Sequence, residues 1–281
     1  MMSSQFRETT KHQLVPLFLT VVVAGFLIFL LYLEIHFLNL FTPTAITSTV
    51  QIRDILVGLT IYLKTSVDFA LFIGNLMTKY AGSKNRIAME LGTAGGNALG
   101  TILILVIWDL FKDIKPLLAV MILLAALILL KIAQDSLEHI SDKNEELNTA
   151  IAMISQQITK ALSPVNNFFH IFIRHIIPNF SMKPKKDLTL WGLFALSFTI
   201  PFILGLDDFA GYVPLFNIIH VFGFAIGVIL GHMFLNIFLF VSPKTTIGVV
   251  KNPTISFLGS IALIGLSLWG FFEVYKILFI N

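Results

Sequence analysis

The chain has no cysteine, and only 12% of its 281 residues are charged. The first absence excludes a disulfide framework, thiol redox chemistry and any thiolate metal site. The second is a shortage: a soluble domain carries roughly 25% charged residues to face water. Nor does a G-x-x-x-x-G-K-[ST] phosphate loop occur, so the chain has no ATP-driven engine of that type. A net charge of only +3 gives no reason to expect a nucleic-acid partner. What is abundant is apolar: 56% of the residues, 27 of them Phe. Lipid must supply the cover that charge supplies elsewhere, so the expected class is an all-α integral membrane protein.

A spanning helix needs roughly 20 mostly apolar residues. Seven windows qualify: Gln13–Leu33, Ile55–Thr78, Leu91–Trp108, Pro116–Leu130, Leu188–Leu206 with an apolar tail to Asn217, Ile218–Val241 and Thr254–Phe272. Arg7 and Lys11 ahead of the first window resemble a signal peptide, but no small-x-small cleavage pattern follows, so an uncleaved helix is expected. Alternating the connections between two sides puts 13 Lys and Arg on the N-terminal side and 4 on the other. By the positive-inside rule the N-terminus is cytoplasmic and the C-terminus extracytoplasmic, in a multi-pass protein of the plasma membrane.

The expected organisation is a cytoplasmic segment and extra helix (1–41), a three-helix unit (50–134), a cytoplasmic connector (135–187) and a second three-helix unit (188–281). In the connector, Leu137, Ile140, Leu147, Ile151, Ile154, Ile158 and Leu162 recur at helical spacing up to Pro164. Phe168–Ile177 reads as a segment lying on the membrane surface. The amphipathic stretch is a helix packed on the bundle or, less simply, one that docks a partner.

The two three-helix units repeat each other. Asp68-Phe69-Ala70 recurs as Asp208-Phe209-Ala210, and Gly92-x-Ala94-x-Gly96-x-x-Leu99-Gly100 as Gly223-x-Ala225-x-Gly227-x-x-Leu230-Gly231. Pro116 and Pro253 open corresponding windows. Seven spans give the two units opposite topology, the inverted repeat of many secondary transporters, whose substrate sites lie near the midplane on broken helices. Pro201, Gly205, Gly211 and Pro214 bracket Asp207 and Asp208 and predict such a break in the second unit.

Charge inside a span costs roughly 2.5–3.5 kcal/mol even on lenient insertion scales, so Asp68, Asp207 and Asp208 are the first candidate ligands for a cation. Asn97 and Thr101 offer further oxygens. His232, which occupies the repeat position of Thr101, and Asn236, one turn on, offer a softer ligand or a proton carrier. A plainer role for Asp68 is an ion pair with Lys64, four residues earlier on the same face. For His232 it is a core position, and for the Gly-Ala stripes it is close helix packing.

Gly205-Leu-Asp-Asp-Phe-Ala-Gly-Tyr-Val-Pro-Leu-Phe216 resembles the Gly-x-Asp-Asn-x-x-x-Tyr-x-Pro-Leu-Phe signature of cadmium-resistance transporters. These belong to the lysine exporter (LysE) superfamily, with the TerC tellurium-resistance and manganese-exporter families. The resemblance implies two inverted three-helix repeats, each with an acidic motif in its first helix. It also implies gradient-driven export of a divalent metal cation, with no other cofactor and no enzymatic activity. The signature puts Asp207 at the key position, whereas the internal repeat puts Asp208 there. Alternatives are an amino-acid or small-solute exporter of the same superfamily and a membrane scaffold without transport. An intramembrane aspartyl protease is a poor fit, because Asp68 and Asp208 lie three spans apart. Oligomeric state is not legible.

Overall fold

The computed structural model describes residues 2–80, 82–141, 153–162, 188–216, 219–250 and 252–280; the side chains of 1–17, 67–68 and 203–211, among others, lie outside the description. Every described element is helical. They are α1 (Met2–Leu38), α2 (Ile52–Thr65), α3 (Val67–Lys79), α4 (Ser83–Phe111) and α5 (Lys115–Ser141). After these come α6 (153–162), α7 (Leu190–Tyr212), α8 (Val221–Val241), α9 (Pro243–Val250) and α10 (Pro253–Phe279). A short 3-10 turn, Val213–Leu215, follows α7.

Among the described residues five helices are long and apolar enough to cross a membrane: Phe18–Leu38, Ser83–Phe111, Lys115–Gln134, Val221–Val241 and Pro253–Phe279. The bent pair α2–α3 makes a sixth if counted as one span. Their outer faces are not those of a water-soluble fold. Phe18 and Phe26 on α1 and Leu258 and Leu268 on α10 stand more than half exposed, a continuous apolar surface that only lipid or other apolar protein covers. The chain is a multi-pass all-α membrane protein.

The main break falls elsewhere than the prolines and glycines predict. Pro201 sits inside a continuous α7, whose helical backbone runs through Asp207 and Asp208 to Tyr212. The bend is in the first unit, 64° between α2 and α3 at Ser66. Thr65 explains part of it: its hydroxyl donates back to the Ile61 carbonyl at 3.1 Å. Such back-bonding competes with the helix ladder and bends helices. Asp68 is thereby the second residue of α3, immediately past the bend. In the connector, α5 continues past Gln134 to Ser141, and the described residues 153–162 are helical with Ile158 and Leu162 half-buried and Ile154 exposed. Ile140, Leu147, Ile151, Pro164 and Phe168–Ile177 fall where side chains or backbone are outside the described residues.

The Gly-Ala stripes are packing seams. A Cβ on Gly92 or Gly96 of α4 would overlap the Phe194 or Phe198 carbonyl of α7. On α8, a Cβ on Gly227 would overlap the Ile55 carbonyl of α2, and Gly58 of α2 returns the contact against the Phe224 carbonyl. Backbones that approach this closely leave room for no side chain. The third large pairing, α5 on α10, is locked by Ser267, whose hydroxyl donates to the Ala126 carbonyl at 2.7 Å.

Polar contacts tie the connections together at each end of the bundle. At one end Lys112, after α4, donates to the Thr44 carbonyl between α1 and α2, and Asp54, at the start of α2, meets His220 Nδ1 at 2.8 Å. At the other, Arg86 near the start of α4 donates to the carbonyl of Phe240 near the end of α8.

Candidate functional site

Membrane helices bury polar side chains only where protein or a water-filled cavity receives them. Helix α4 carries a full column of them. Arg86, Glu90, Thr93, Asn97 and Thr101 follow at spacings of four, three, four and four residues, so they share one face. At 1.5 Å per residue the column runs about 22 Å, most of the roughly 30 Å thickness of a bilayer's hydrocarbon.

The column meets α8 through His232 and Asn236, one turn apart, and α2 through Tyr62. Tyr62 Oη lies 2.9 Å from His232 Nδ1, and Asn97 Nδ2 lies 3.1 Å from the same phenol oxygen and 2.5 Å from the same ring nitrogen. On the other side of the ring, Asn236 Nδ2 is 3.0 Å from Nε2 and 2.8 Å from Glu90 Oε2. Thr93 Oγ1 stands 3.4 Å from that amide nitrogen. His232, Asn236, Glu90 and Thr93 are all buried, Asn236 and Glu90 completely. Phe69 of α3 packs against the His232 ring, with centroids 5.8 Å apart.

Beside this cluster opens a cleft, part of it continuous with the surroundings. Its polar lining is Glu34 from α1, Tyr62, Asn97, Thr101, His232 and Tyr212 at the end of α7. The rest is apolar, with Leu27, Leu30, Leu31, Val228 and Ile229 among them. Buried Glu34 Oε1 has no hydrogen-bond partner among the described residues. An unpaired carboxylate oxygen facing a cleft can be met by a cation, an ammonium group or a proton.

Four of the sequence-derived site residues, Asn97, Thr101, His232 and Asn236, come together here. His232 is both a core residue and a cleft residue, since its Nδ1 edge faces the cleft group and its Nε2 edge the buried one. The side chains of Asp68, Asp207 and Asp208 lie outside the described residues, and with them the Asp68–Lys64 pairing. Lys64 itself reaches across to α10, where its ammonium donates to the Ser256 carbonyl at 3.1 Å and its stem lies over Gly259. Among the described residues no three of His, Asp and Glu stand close enough together to hold a metal ion.

Glu34, Glu90 and Tyr62 are residues that sequence reasoning did not single out, and Tyr212 enters there only as the Tyr of the transporter signature. The two glutamates each sit one position beyond an uncharged window, after Leu33 and before Leu91. The 4-3-4-4 spacing on α4 would have exposed Glu90. Comparison with protein families, characterised proteins and solved structures finds no match for this chain.

Proposed function

We propose that the protein is a gradient-driven membrane transporter whose cargo passes through the cleft between its two three-helix units. One observation carries this reading: polar side chains from α1, α2, α4, α7 and α8 converge on a cleft in an otherwise apolar bundle. Structural polar groups in a membrane pair with each other and close up; here a buried oxygen of Glu34 has no partner among the described residues.

Packing supports an inverted repeat. If α2–α3, α4 and α5 correspond to α7, α8 and α10, the glycine seam of α4 on α7 exchanges with that of α8 on α2, and α5 on α10 maps onto itself. In that arrangement α2–α3 and α7 each complete a span, making seven, with the N-terminus cytoplasmic and the C-terminus outside the plasma membrane. The resemblance to the lysine exporter superfamily points the same way.

For cargo, the first reading is a divalent metal cation, which Asp68 and Asp207 or Asp208 would ligate beyond the cleft's own Glu34, Asn97, Thr101 and His232. The mostly apolar lining of the cleft favours a second reading, an amino acid or other small cationic solute. Ligand pockets for organic molecules are largely apolar with a few placed polar groups. The test is growth of a host with and without the chain across a panel of divalent cations and cationic amino acids. The transport reading expects altered sensitivity to at least one member, lost in Glu34→Gln; equal sensitivity across the panel at matched expression would overturn it.

A further inference from the structure

His232 and Glu90 are joined by one amide, and that amide constrains both. A neutral imidazole accepts a hydrogen bond at one nitrogen only. Yet Asn97 Nδ2 faces Nδ1, and Asn236 Nδ2 faces Nε2. One of the two amides must therefore present its oxygen to the ring, an assignment that the hydrogen-bond network decides. Asn236 is not free to choose. Its Nδ2 also faces Glu90 Oε2, and turning the amide would set its oxygen against a carboxylate oxygen. That is repulsive unless Glu90 carries a proton.

So ionised Glu90 holds Asn236 with its NH₂ toward both neighbours. This makes Nε2 of His232 the acceptor and fixes the ring proton on Nδ1, the nitrogen facing Tyr62 and Asn97 at the cleft. Protonation of Glu90 forms one O–H bond, removes one negative charge and releases the amide, so either ring tautomer is then allowed. The surroundings suit a group that changes charge. Glu90 is fully buried, its Oε1 has no hydrogen-bond partner, and no ion pair joins it to a cation among the described residues. The Thr20 hydroxyl faces it from α1. His232 lies behind Asn236 on α8, Tyr62 of α2 stands beyond the ring, and Arg86, one turn earlier on α4, donates Nη1 to the Phe240 carbonyl while its buried Nε has no partner among the described residues. Residues 190–202 of α7 carry no ionisable group. The column order is Arg86, Glu90, Thr93, Asn97, Thr101, so Glu90 lies between the Ser83 end of the bundle and the cleft.

We propose that Glu90 is the proton-binding site of the transport cycle, linked through Asn236 and His232 to the cleft where cargo binds. The inference rests on the transport reading for its cargo, and it names the proton as the coupling ion. A proton on Glu90 removes one of two buried negative charges near the cleft, Glu34 being the other, and changes the hydrogen-bonding role that His232 Nδ1 offers to cargo, so proton and cargo affinities are linked. Binding one proton per turnover needs no further reactant.

The test has two arms on the full-length purified protein. Infrared difference spectra across a pH titration read carboxylic C=O stretching directly and need no cargo. Wild type is expected to show a titrating acid band that Glu90→Gln removes; Asn236→Leu should keep the band but shift its frequency, since the amide's hydrogen bond is gone. A titrating band unchanged in both variants overturns the proposal. In proteoliposomes with an imposed pH gradient, added Mn²⁺ or lysine should collapse the gradient for wild type. Glu90→Gln should slow that collapse by about tenfold or more. Collapse at the wild-type rate in Glu90→Gln overturns the proton site. If neither probe moves while the Glu90 band titrates, the transport reading fails and the proton-binding site stands.

Discussion

The phenol oxygen of Tyr62 lies 2.9 Å from Nδ1 of His232, across 170 positions of sequence. This bond joins α2 to α8 at the floor of the cleft, and Asn97 of α4 completes the triangle. Tyr62→Phe keeps the ring that packs against Gly231 but deletes the hydroxyl. Interhelical hydrogen bonds in membranes average only about 0.6 kcal/mol, so the variant should melt within a few degrees of wild type in detergent. Transport should fall far more than stability does. A large drop in melting temperature with unchanged specific transport would mean that the triangle is structural only.

The glycine seams make a sharper stability prediction. Gly227→Ala puts a methyl group onto the Ile55 carbonyl, whereas a methyl group on Gly265 of α10 would meet nothing within 4 Å. Overpacking a tight contact costs roughly 1–3 kcal/mol, so Gly227→Ala should lower the melting temperature clearly. Gly265→Ala, which only gains helix propensity, should not. Equal effects would show that α2 and α8 are not in backbone contact.

The membrane class and most of the apolar windows are legible because lipid imposes length and hydropathy on each span, and the packing seams because Gly-x-Ala-x-Gly motifs leave a mark wherever backbones touch. Asn97, Thr101, His232 and Asn236 are legible as polar interruptions of apolar runs. Glu34 and Glu90 are not, because a charge beside an apolar window reads as the end of the span when it is in truth part of it. Helical phase, not hydropathy, distinguishes the two cases. The bend is misplaced for a related reason. Pro201 lacks one backbone donor, but α7 lies against α4 closely at Gly92 and Gly96 and its backbone stays helical through the proline to Tyr212. Ser66, a weaker breaker by composition, bends where Thr65 hydrogen-bonds back to the helix.

Asp68 separates binding from structure. Asp68→Asn keeps size and hydrogen bonding and removes the charge. If the carboxylate serves cargo, the variant folds and loses transport. If it balances Lys64, removing it strands a half-buried ammonium whose hydrogen bond among the described residues goes to the Ser256 carbonyl. Breaking a buried pair costs roughly 3–5 kcal/mol, and adding Lys64→Met should then restore stability. Thermal melting of both single variants and the double decides. A destabilised Asp68→Asn whose double variant is stable and fully active contradicts a cargo role.

Topology is checked by reporter fusions at Asn281 and within residues 136–187, which the proposed seven-span arrangement puts on opposite sides of the membrane. Opposite signals are expected. Signals from the same side would remove the seven-span arrangement and the inverted repeat with it.

Flux through the cleft is the most direct test of all. Wild type and Glu34→Gln, reconstituted in vesicles at equal protein and with equal melting temperatures, are compared for Mn²⁺ and lysine uptake under a pH gradient. Glu34 offers the cleft a buried, unpaired carboxylate oxygen, so wild type should carry at least one of the two and Glu34→Gln should carry it about tenfold more slowly or worse. Folded wild-type protein that moves neither, or a Glu34→Gln variant that transports at the wild-type rate, would contradict a cargo path through this cleft.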